Sequence, residues 1–296
     1  MDEAIATARS SLDSALEELE AMEVIVDGRI GIVTDTKFAE ASEVESAVVT
    51  EPITEAREVL SGVEGDADGE RVERIEALLD LASYTSAKYG EYLALVQTFS
   101  YLDIVLQAFA ARQAGEALTM AQNSRTNLEA ASERHRAATE ALASVTDPVT
   151  PAVPAFDAAA ERDEQAYVST LLSRWEPGTA GVEAYVRGLV RTRNAFTALE
   201  ETSYSRAKTA ATQARSDFIG GSERLETAIE RDVEVFASPV IGFECQSEGF
   251  IAVADTLVKA SHAGRAGETA RADGLVAEAD ARVDAAVEDC SVGNSG

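Results

Sequence analysis

The sequence predicts an all-α protein of about ten helices, either an elongated antiparallel helical bundle or an irregular helical array, that ends in an αα-hairpin. Apolar residues recur at steps of three and four along most of the chain, which is the spacing of one face of an α-helix. Helix-breaking residues are scarce, since the 296 residues include only 6 prolines and 19 glycines. The apolar fraction of 46% is that of a folded domain and is too high for a disordered acidic tail.

The first helix is predicted by an apolar stripe with alternating steps of three and four residues. The stripe consists of Ile5, Ala8, Leu12, Ala15, Leu19 and Met22. Residues 24–33 then interrupt the helical period, and Asp27-Gly28 between β-branched residues is typical of a hairpin turn. We expect an interhelical loop at this point, or a two-stranded ribbon. Two short helices are predicted next, over about residues 35–49 and 52–60.

An acidic loop over residues 64–70 partly matches a calcium-binding loop. Glu64, Asp66 and Asp68 have the spacing of the first three ligands. The twelfth position, which requires a bidentate glutamate, is Ile75. The favoured interpretation is therefore a solvated turn in which Asp68 caps the next helix, and we predict no metal site.

An aromatic cluster marks the most apolar part of the chain. Helical periodicity continues to about residue 112, with Gly90 as a candidate break, and resumes over about residues 116–145. The favoured interpretation of the cluster is a core helix, and the alternative is a surface for a protein partner. The residues of that alternative surface are Tyr84, Tyr92, Phe99, Tyr101 and Phe109.

Half of the prolines lie in residues 147–154, which predicts a linker. The linker divides the chain into an N-terminal helical half, residues 1–146, and a C-terminal half, residues 155–296. We expect the halves either to be separate or to pack as one unit.

Apolar residues at helical spacing continue through the second half of the chain. Helices are expected over about residues 156–175, 182–201 and 204–236. The predicted turn between the first two is residues 176–178, where Pro177 precedes a glycine. Gly220-Gly221 is a candidate break in the third helix, and residues 238–245 are expected to form a loop.

The two cysteines predict a stapled hairpin at the C-terminus. Two final helices are expected over about residues 247–262 and 268–287, with a turn at residues 264–267. Cys245 and Cys290 lie at equal distances from that turn, so an antiparallel hairpin brings them together. We predict a disulfide between them, which is typical of an oxidising compartment. Two unrelated buried thiols are the alternative.

Catalytic motifs are missing from the sequence. It contains no P-loop, no Gly-x-Ser-x-Gly and no His-Glu-x-x-His. The only histidines are His135, on the apolar seam of its helix, and His262, near a helix C-terminus where a cation is favoured. We predict a protein that is not an enzyme and that holds no cofactor.

The charge balance argues against several classes of partner. Acidic residues number 53 and basic residues 25, for a net charge of −28. Nucleic-acid binding and docking on anionic lipid both need clustered basic residues, so we expect neither. No stretch is apolar enough to predict a membrane-spanning helix.

The composition also points to a salt environment. Arginine supplies nearly all of the basic residues, since the only lysines are Lys37, Lys88, Lys208 and Lys259. In its many carboxylates, few lysines and many alanines the chain resembles acidic helical proteins of haloarchaea. The resemblance implies molar K⁺ or Na⁺ as counter-ions, which screen the self-repulsion of such a surface. An ordinary acidic mesophilic protein is the alternative.

Three functions fit these observations. The first is a non-enzymatic binding or scaffold protein of a halophile, outside the cytoplasm or in the cell envelope, supported by the predicted disulfide. The second is a cytoplasmic helical-repeat adaptor for protein partners. It is suggested by a faint repeat of Ser132-Glu133-Arg134 at residues 222–224, vaguely similar to tetratricopeptide arrays, whose signature Trp, Tyr and Pro positions are missing. The third is a small-ligand sensor with a pocket near Arg125 and His135.

Overall fold

The computed structural model describes residues 1–22, 25–26, 29–30, 46–67, 69–110, 113–145, 153–230 and 237–291. The described part of the chain is all-α, as predicted, with eight α-helices compared with the expected ten or so. The helices are α1 (Asp2–Ala21), α2 (Ser46–Ser61), α3 (Glu70–Ala110), α4 (Ala114–Ser144), α5 (Ala158–Glu200), α6 (Tyr204–Glu230), α7 (Ala237–Arg265) and α8 (Thr269–Ser291).

Two predicted breaks are absent from the N-terminal helices. Helix α2 joins residues 46–49 to the predicted helix 52–60, with Pro52 inside it. Helix α3 passes through Gly90 without interruption. Most of the predicted helix over residues 35–49 lies outside the described residues.

A short ribbon follows α1. Strand β1 (Ile25–Val26) pairs antiparallel with strand β2 (Arg29–Ile30), in the register Ile25↔Ile30 and Val26↔Arg29. This pairing is the ribbon that the Asp27-Gly28 pattern allows, although the turn residues themselves lie outside the described part.

The predicted turn at residues 176–178 is wrong, because α5 continues through Pro177 to Glu200. Close packing against α6 explains why the helix persists. A methyl group at Gly181 would lie 2.7 Å from the Leu225 Cγ atom, so the glycine lets the two helices approach. Burial along this contact outweighs the local cost of a proline in the helix.

The predicted loop over residues 238–245 is also wrong, since α7 begins at Ala237. An aromatic contact holds this part of the helix in place. The centroid of the Phe243 ring lies 5.0 Å from the centroid of the Tyr185 ring on α5. Helix α6, in turn, runs through its paired glycines to Glu230. Tertiary packing overrides the local signals in all of these places.

The chain divides into two compact units. Unit 1 comprises Met1–Ser100 and Thr126–Leu172, and unit 2 comprises Tyr101–Arg125 and Ser173–Gly296. Helices α3, α4 and α5 therefore contribute residues to both units. The proposed division into residues 1–146 and 155–296 stays a prediction, because residues 146–152 lie outside the described part.

Each unit has its own core. In unit 1, α1 packs against α2, and the largest fully buried side chains include Leu12, Leu19, Leu60, Ile75 and Leu81. In unit 2, four aromatic rings form the centre of the packing: Tyr185, Phe218, Phe243 and Phe250. None of the described helices combines the length and the apolar character that crossing a bilayer requires.

Candidate functional site

Most of the aromatic residues proposed as a partner surface lie in the interior. Tyr84, Tyr92 and Phe99 are buried, and Tyr101 is half-buried. The side chain of Phe109 lies outside the described part. The buried residues are therefore core residues, as the favoured interpretation of the sequence expects, and offer no surface to a partner.

The hydroxyl groups of two of these tyrosines lead to a buried ionic cluster in unit 1. The Lys88 cluster consists of Lys88, its carboxylate partners Glu161 and Glu164, and the tyrosines Tyr84 and Tyr92. Lys88 Nζ lies 2.6 Å from Glu161 Oε2 and 3.1 Å from Glu164 Oε1. The three charged side chains are only 6%, 12% and 24% exposed, in that order. Lys88 Nζ also lies 5.4 Å from the centre of the Tyr92 ring, within the range of a cation–π contact.

Helical spacing brings the Lys88 cluster together. Its three members on α3 are four residues apart, so they share one face of that helix. Its two members on α5 are three residues apart in the first turns of their helix. Asp157 fixes the start of α5, because its Oδ1 accepts the backbone N–H groups of Ala159 and Ala160 at 2.8 and 3.2 Å. The cap thereby fixes where the two carboxylates lie.

The protonation states of the Lys88 cluster follow from burial and charge. The Tyr84 hydroxyl donates to Glu161, and the Tyr92 hydroxyl donates to Glu164. Burial and these neighbouring carboxylates raise the pKa of both tyrosines well above the ordinary value. Burial alone would lower the pKa of Lys88, but the two carboxylates beside it outweigh burial and raise it. Lys88 is therefore a paired ammonium ion, which is a poor nucleophile.

Another carboxylate, that of Glu91, lies one helical turn from Lys88 on α3 and is buried. Glu91 Oε1 is 3.2 Å from His135 Nδ1, and Glu91 Oε2 accepts a hydrogen bond of 3.1 Å from Gln165 Nε2. Gln165 in turn accepts a hydrogen bond from Thr139. His135 is thus a boundary residue that partners a core carboxylate, as its position on the helix seam predicts.

A small polar pocket borders the Lys88 cluster. Its volume is about 200 Å³, which is the room that a few water molecules need. Its apolar wall includes Leu16 and Leu19 of α1, and its polar rim includes Glu20 and Asp157. The charged groups at its base already satisfy one another, so the arrangement is that of a structural ion pair in contact with solvent.

Unit 2 contains a second ionic network. Asp217 accepts hydrogen bonds from Arg187 Nε at 3.0 Å and from Arg191 Nη1 at 2.6 Å. Glu183 accepts from Arg187 Nη1 at 2.8 Å and from Arg125 Nη1 at 3.0 Å. Both carboxylates are buried, and each has two guanidinium partners. Arg125 belongs to this network while His135 belongs to unit 1, so the proposed sensor residues lie in different units.

The predicted disulfide is present. Cys245 and Cys290 are bonded, with their Cα atoms 5.8 Å apart, and they join α7 to α8. Helix α7 ends as expected: Gly267 has a φ of +83°, and the Glu268 N–H donates to the Ala263 carbonyl at 2.9 Å. His262 lies in the last turn of α7. The C-terminal αα-hairpin is therefore closed at both ends, by a glycine turn and by a covalent bond.

The acidic loop forms a turn. Glu64–Asp66 is a single 3₁₀ turn, and Gly69 has a φ of +50° just before α3 begins. The proposed capping role of Asp68 falls on a residue outside the described part. Across the residues that the structure describes, no three His, Cys, Asp or Glu side chains are grouped so as to hold a metal ion.

The Lys88 cluster was not anticipated as a unit, although one signal for it exists. Lys88 is one of only four lysines and lies between Tyr84 and Tyr92 on the apolar face of its helix. A charged residue at such a position requires a buried partner. Nothing in the sequence indicates that Glu161 and Glu164, more than seventy residues away, supply it.

Comparisons of this chain with protein-family models, with curated proteins and with solved structures gave no match. Function is therefore argued from the residues and their geometry.

Proposed function

We propose that this chain is a non-enzymatic helical binding or scaffold protein of a high-salt cell, located outside the cytoplasm or in the cell envelope. The observation that carries the proposal is the disulfide that joins α7 to α8. Structural disulfides persist in oxidising compartments and are rare in the cytosol.

The buried charges support a structural role for both helical units. The Lys88 cluster ties α3 to α5, and the Asp217 network ties α5 to α6. Removing a partner from such a pair leaves an uncompensated buried charge, so the pairs favour one register of the helices over its neighbours. A protein that holds a fixed surface for a partner needs this property.

The thiol state in the source cells tests the location. Free thiols are blocked with a heavy alkylating agent before lysis, the protein is reduced, and the newly exposed thiols are blocked with a light agent. Mass spectrometry then reads both cysteines, and a resident cytoplasmic protein from the same lysate serves as the control. We expect Cys245 and Cys290 to carry the light label together. Heavy label on both would contradict an extracytoplasmic location.

The salt requirement is tested by circular dichroism. The chain carries a net charge of −28, and its self-repulsion is screened when the Debye length falls to about 3 Å in molar salt. We expect helix to be lost in dilute buffer and restored in molar KCl. Complete folding in dilute buffer would show that the protein is not halophilic.

A cytoplasmic helical-repeat adaptor is the second candidate. The observation that favours it is the order of packing in unit 2, where α6 contacts α7 and α7 contacts α8. Helices that pack in chain order are the building principle of helical-repeat arrays, which bind proteins on their exposed faces. Free thiols in the source cells would favour this candidate over the first.

A further inference from the structure

Unit 2 contains a groove that none of the contacts described so far fills. It lies between the C-terminal end of α5, the start of α6 and one face of α8, and its volume is about 480 Å³. The residues that line it are Phe196, Leu199, Glu200, Thr202, Tyr204, Ala272, Asp273, Val276, Ala277 and Asp280.

The floor of the groove is apolar and is held in a defined shape. Phe196, Tyr204 and Val276 are half-buried, so part of each apolar side chain meets solvent. The Tyr204 ring packs directly on the backbone of α7, because a methyl group at Gly264 would lie 2.1 Å from Tyr204 Cε1. The ring is therefore a fixed wall and cannot fold into the groove without losing this contact.

An apolar row on α8 extends the groove along the helix. Val276, Val283 and Val287 are seven and four residues apart, which places them on one face over about 16 Å. Val287 is 41% exposed. The adjacent row on α8, formed by Ala272, Ala279 and Ala286, is the buried one. The valine row is thus apolar surface beyond what the packing of α8 covers.

The charged residues that line the groove are all acidic. Glu200, Asp273 and Asp280 line it and are exposed, and its lining contains no basic residue. This favours an occupant with arginine or lysine beside its apolar side chains. A second copy of this chain is a poor occupant, because each copy carries a net charge of −28.

We propose that this groove docks a segment of a partner protein in which an apolar helical stripe is flanked by arginine or lysine. The proposal rests on the binding role proposed above and names the surface and the partner chemistry for it. Apolar side chains of the segment occupy the floor at Phe196, Tyr204 and Val276. Its basic side chains reach the carboxylates of the rim, as in other helix-in-groove complexes.

The test uses a labelled synthetic peptide and the full chain. The peptide has about 15 residues, with leucines at the helical period and arginines at the flanking positions. A second peptide carries glutamate in place of arginine. Fluorescence anisotropy is measured in molar KCl. The Debye length there is about 3 Å, so only charges in close contact attract each other appreciably. We expect the arginine peptide to bind and the glutamate peptide not to bind.

Two variants locate the binding surface. Val276→Glu places a charge on the floor of the groove, and Val48→Glu adds the same charge to an exposed position on α2 in unit 1, where Val48 is 40% exposed. We expect Val276→Glu to weaken binding of the arginine peptide by roughly tenfold or more and Val48→Glu to leave it unchanged. Circular dichroism and the urea midpoint verify that both variants fold.

Three results would overturn the proposal: no binding of the arginine peptide, equal binding of both peptides, or equal losses in the two variants. The last result would mean that the peptide responds to net charge rather than to the groove. Failure here is distinct from failure of the proposed location, which the thiol state of the cysteines tests independently. A paired disulfide with no peptide binding would leave the location standing and remove the groove as a docking site.

Discussion

Lys88 offers the sharpest test of how unit 1 is held together, because a single substitution leaves two half-buried carboxylates without their cation. In Lys88→Met the side chain keeps most of its length and its apolar stem. At the observed distances of 2.6 and 3.1 Å, each ion pair contributes roughly 5–6 kcal/mol of attraction at an effective dielectric constant of about 20. Desolvation of the three charged groups offsets much of this attraction in the folded protein. The variant loses the attraction while the carboxylates stay half-buried, so we expect it to lose about 3 kcal/mol of unfolding free energy, the lower end of the range for a fully buried pair.

Urea unfolding in molar KCl measures this loss, since urea is uncharged and does not alter the ionic strength. Lys259→Met on α7 is the matched control, because it removes the same charge from an exposed position. We expect the control to stay within about 0.5 kcal/mol of the parent. A triple variant that adds Glu161→Gln and Glu164→Gln to Lys88→Met removes the stranded charges and should recover a large part of the loss.

The pH dependence gives the Lys88 test a second arm. The pKa of Lys88 is raised in the folded chain, so the stability contributed by its charge is complete below the ordinary lysine pKa. It is lost only as the pH rises through the higher folded value. The penalty in Lys88→Met is therefore constant around neutral pH. A loss below about 1 kcal/mol, or a loss that changes strongly across neutral pH, would refute the account of carboxylates left without their cation.

Four further predictions concern the disulfide, a glycine at a helix contact, an exposed glycine in α8 and the buried tyrosine hydroxyls. Reduction of the hairpin disulfide, whose cysteines are 45 residues apart, should lower the unfolding free energy by about 4 kcal/mol in urea; a change below about 1 kcal/mol would contradict it. Gly188→Ala places a methyl group 2.7 Å from the Phe218 ring and should destabilise by about 1–3 kcal/mol in thermal unfolding. Gly274→Ala meets open space in α8 and should stabilise by about 0.5–1 kcal/mol. Tyr84 and Tyr92 have raised pKa values, so their contribution to stability is complete below the ordinary tyrosine pKa of 10.0 and falls as the pH rises above it. Ultraviolet titration against the two Tyr→Phe variants checks that neither hydroxyl ionises before the chain unfolds.

The C-terminal hairpin could be predicted in detail because its evidence is local. Two apolar stripes, a glycine turn and two equidistant cysteines all lie within about fifty residues, and one antiparallel arrangement satisfies them together. The all-α class followed for the same reason, since the helical period is a property of short windows.

The helix boundaries that failed depend on contacts with distant residues. Considered with its sequence neighbours alone, Pro177 indicates the end of a helix. Helix α5 nevertheless continues through it, because α5 packs closely on α6 at Gly181. Residues 238–245 read as a loop, but Phe243 lies against Tyr185 and holds them in α7. Helix propensity differs by less than about 1 kcal/mol between most residues, and a proline in a helix interior costs about 3 kcal/mol. The burial of several apolar side chains along these contacts offsets such costs.

The ionic clusters were beyond prediction because their partners are far apart in the sequence. Carboxylates are so numerous in this chain that no pair of them is informative by itself, with 53 acidic residues against 25 basic ones. Lys88 could be flagged as a buried cation from its place on an apolar face. Only the fold shows which carboxylates of α5 it meets.

The scarcity of cations explains why the interior charges matter for specificity. With about two carboxylates for every basic residue, most carboxylates must lie in solvent, where salt screens them. The deeply buried ones form an exception in which each has a cationic or hydrogen-bonding partner: Glu91 with His135 and Gln165, and Asp217 with its two arginines. Parting His135 from Glu91, or both arginines from Asp217, would leave a buried carboxylate without its partner, at a cost of several kcal/mol. Added salt screens such a buried charge only weakly. We therefore expect salt to decide whether this chain is compact, and the partners of the buried carboxylates to decide which compact arrangement it adopts.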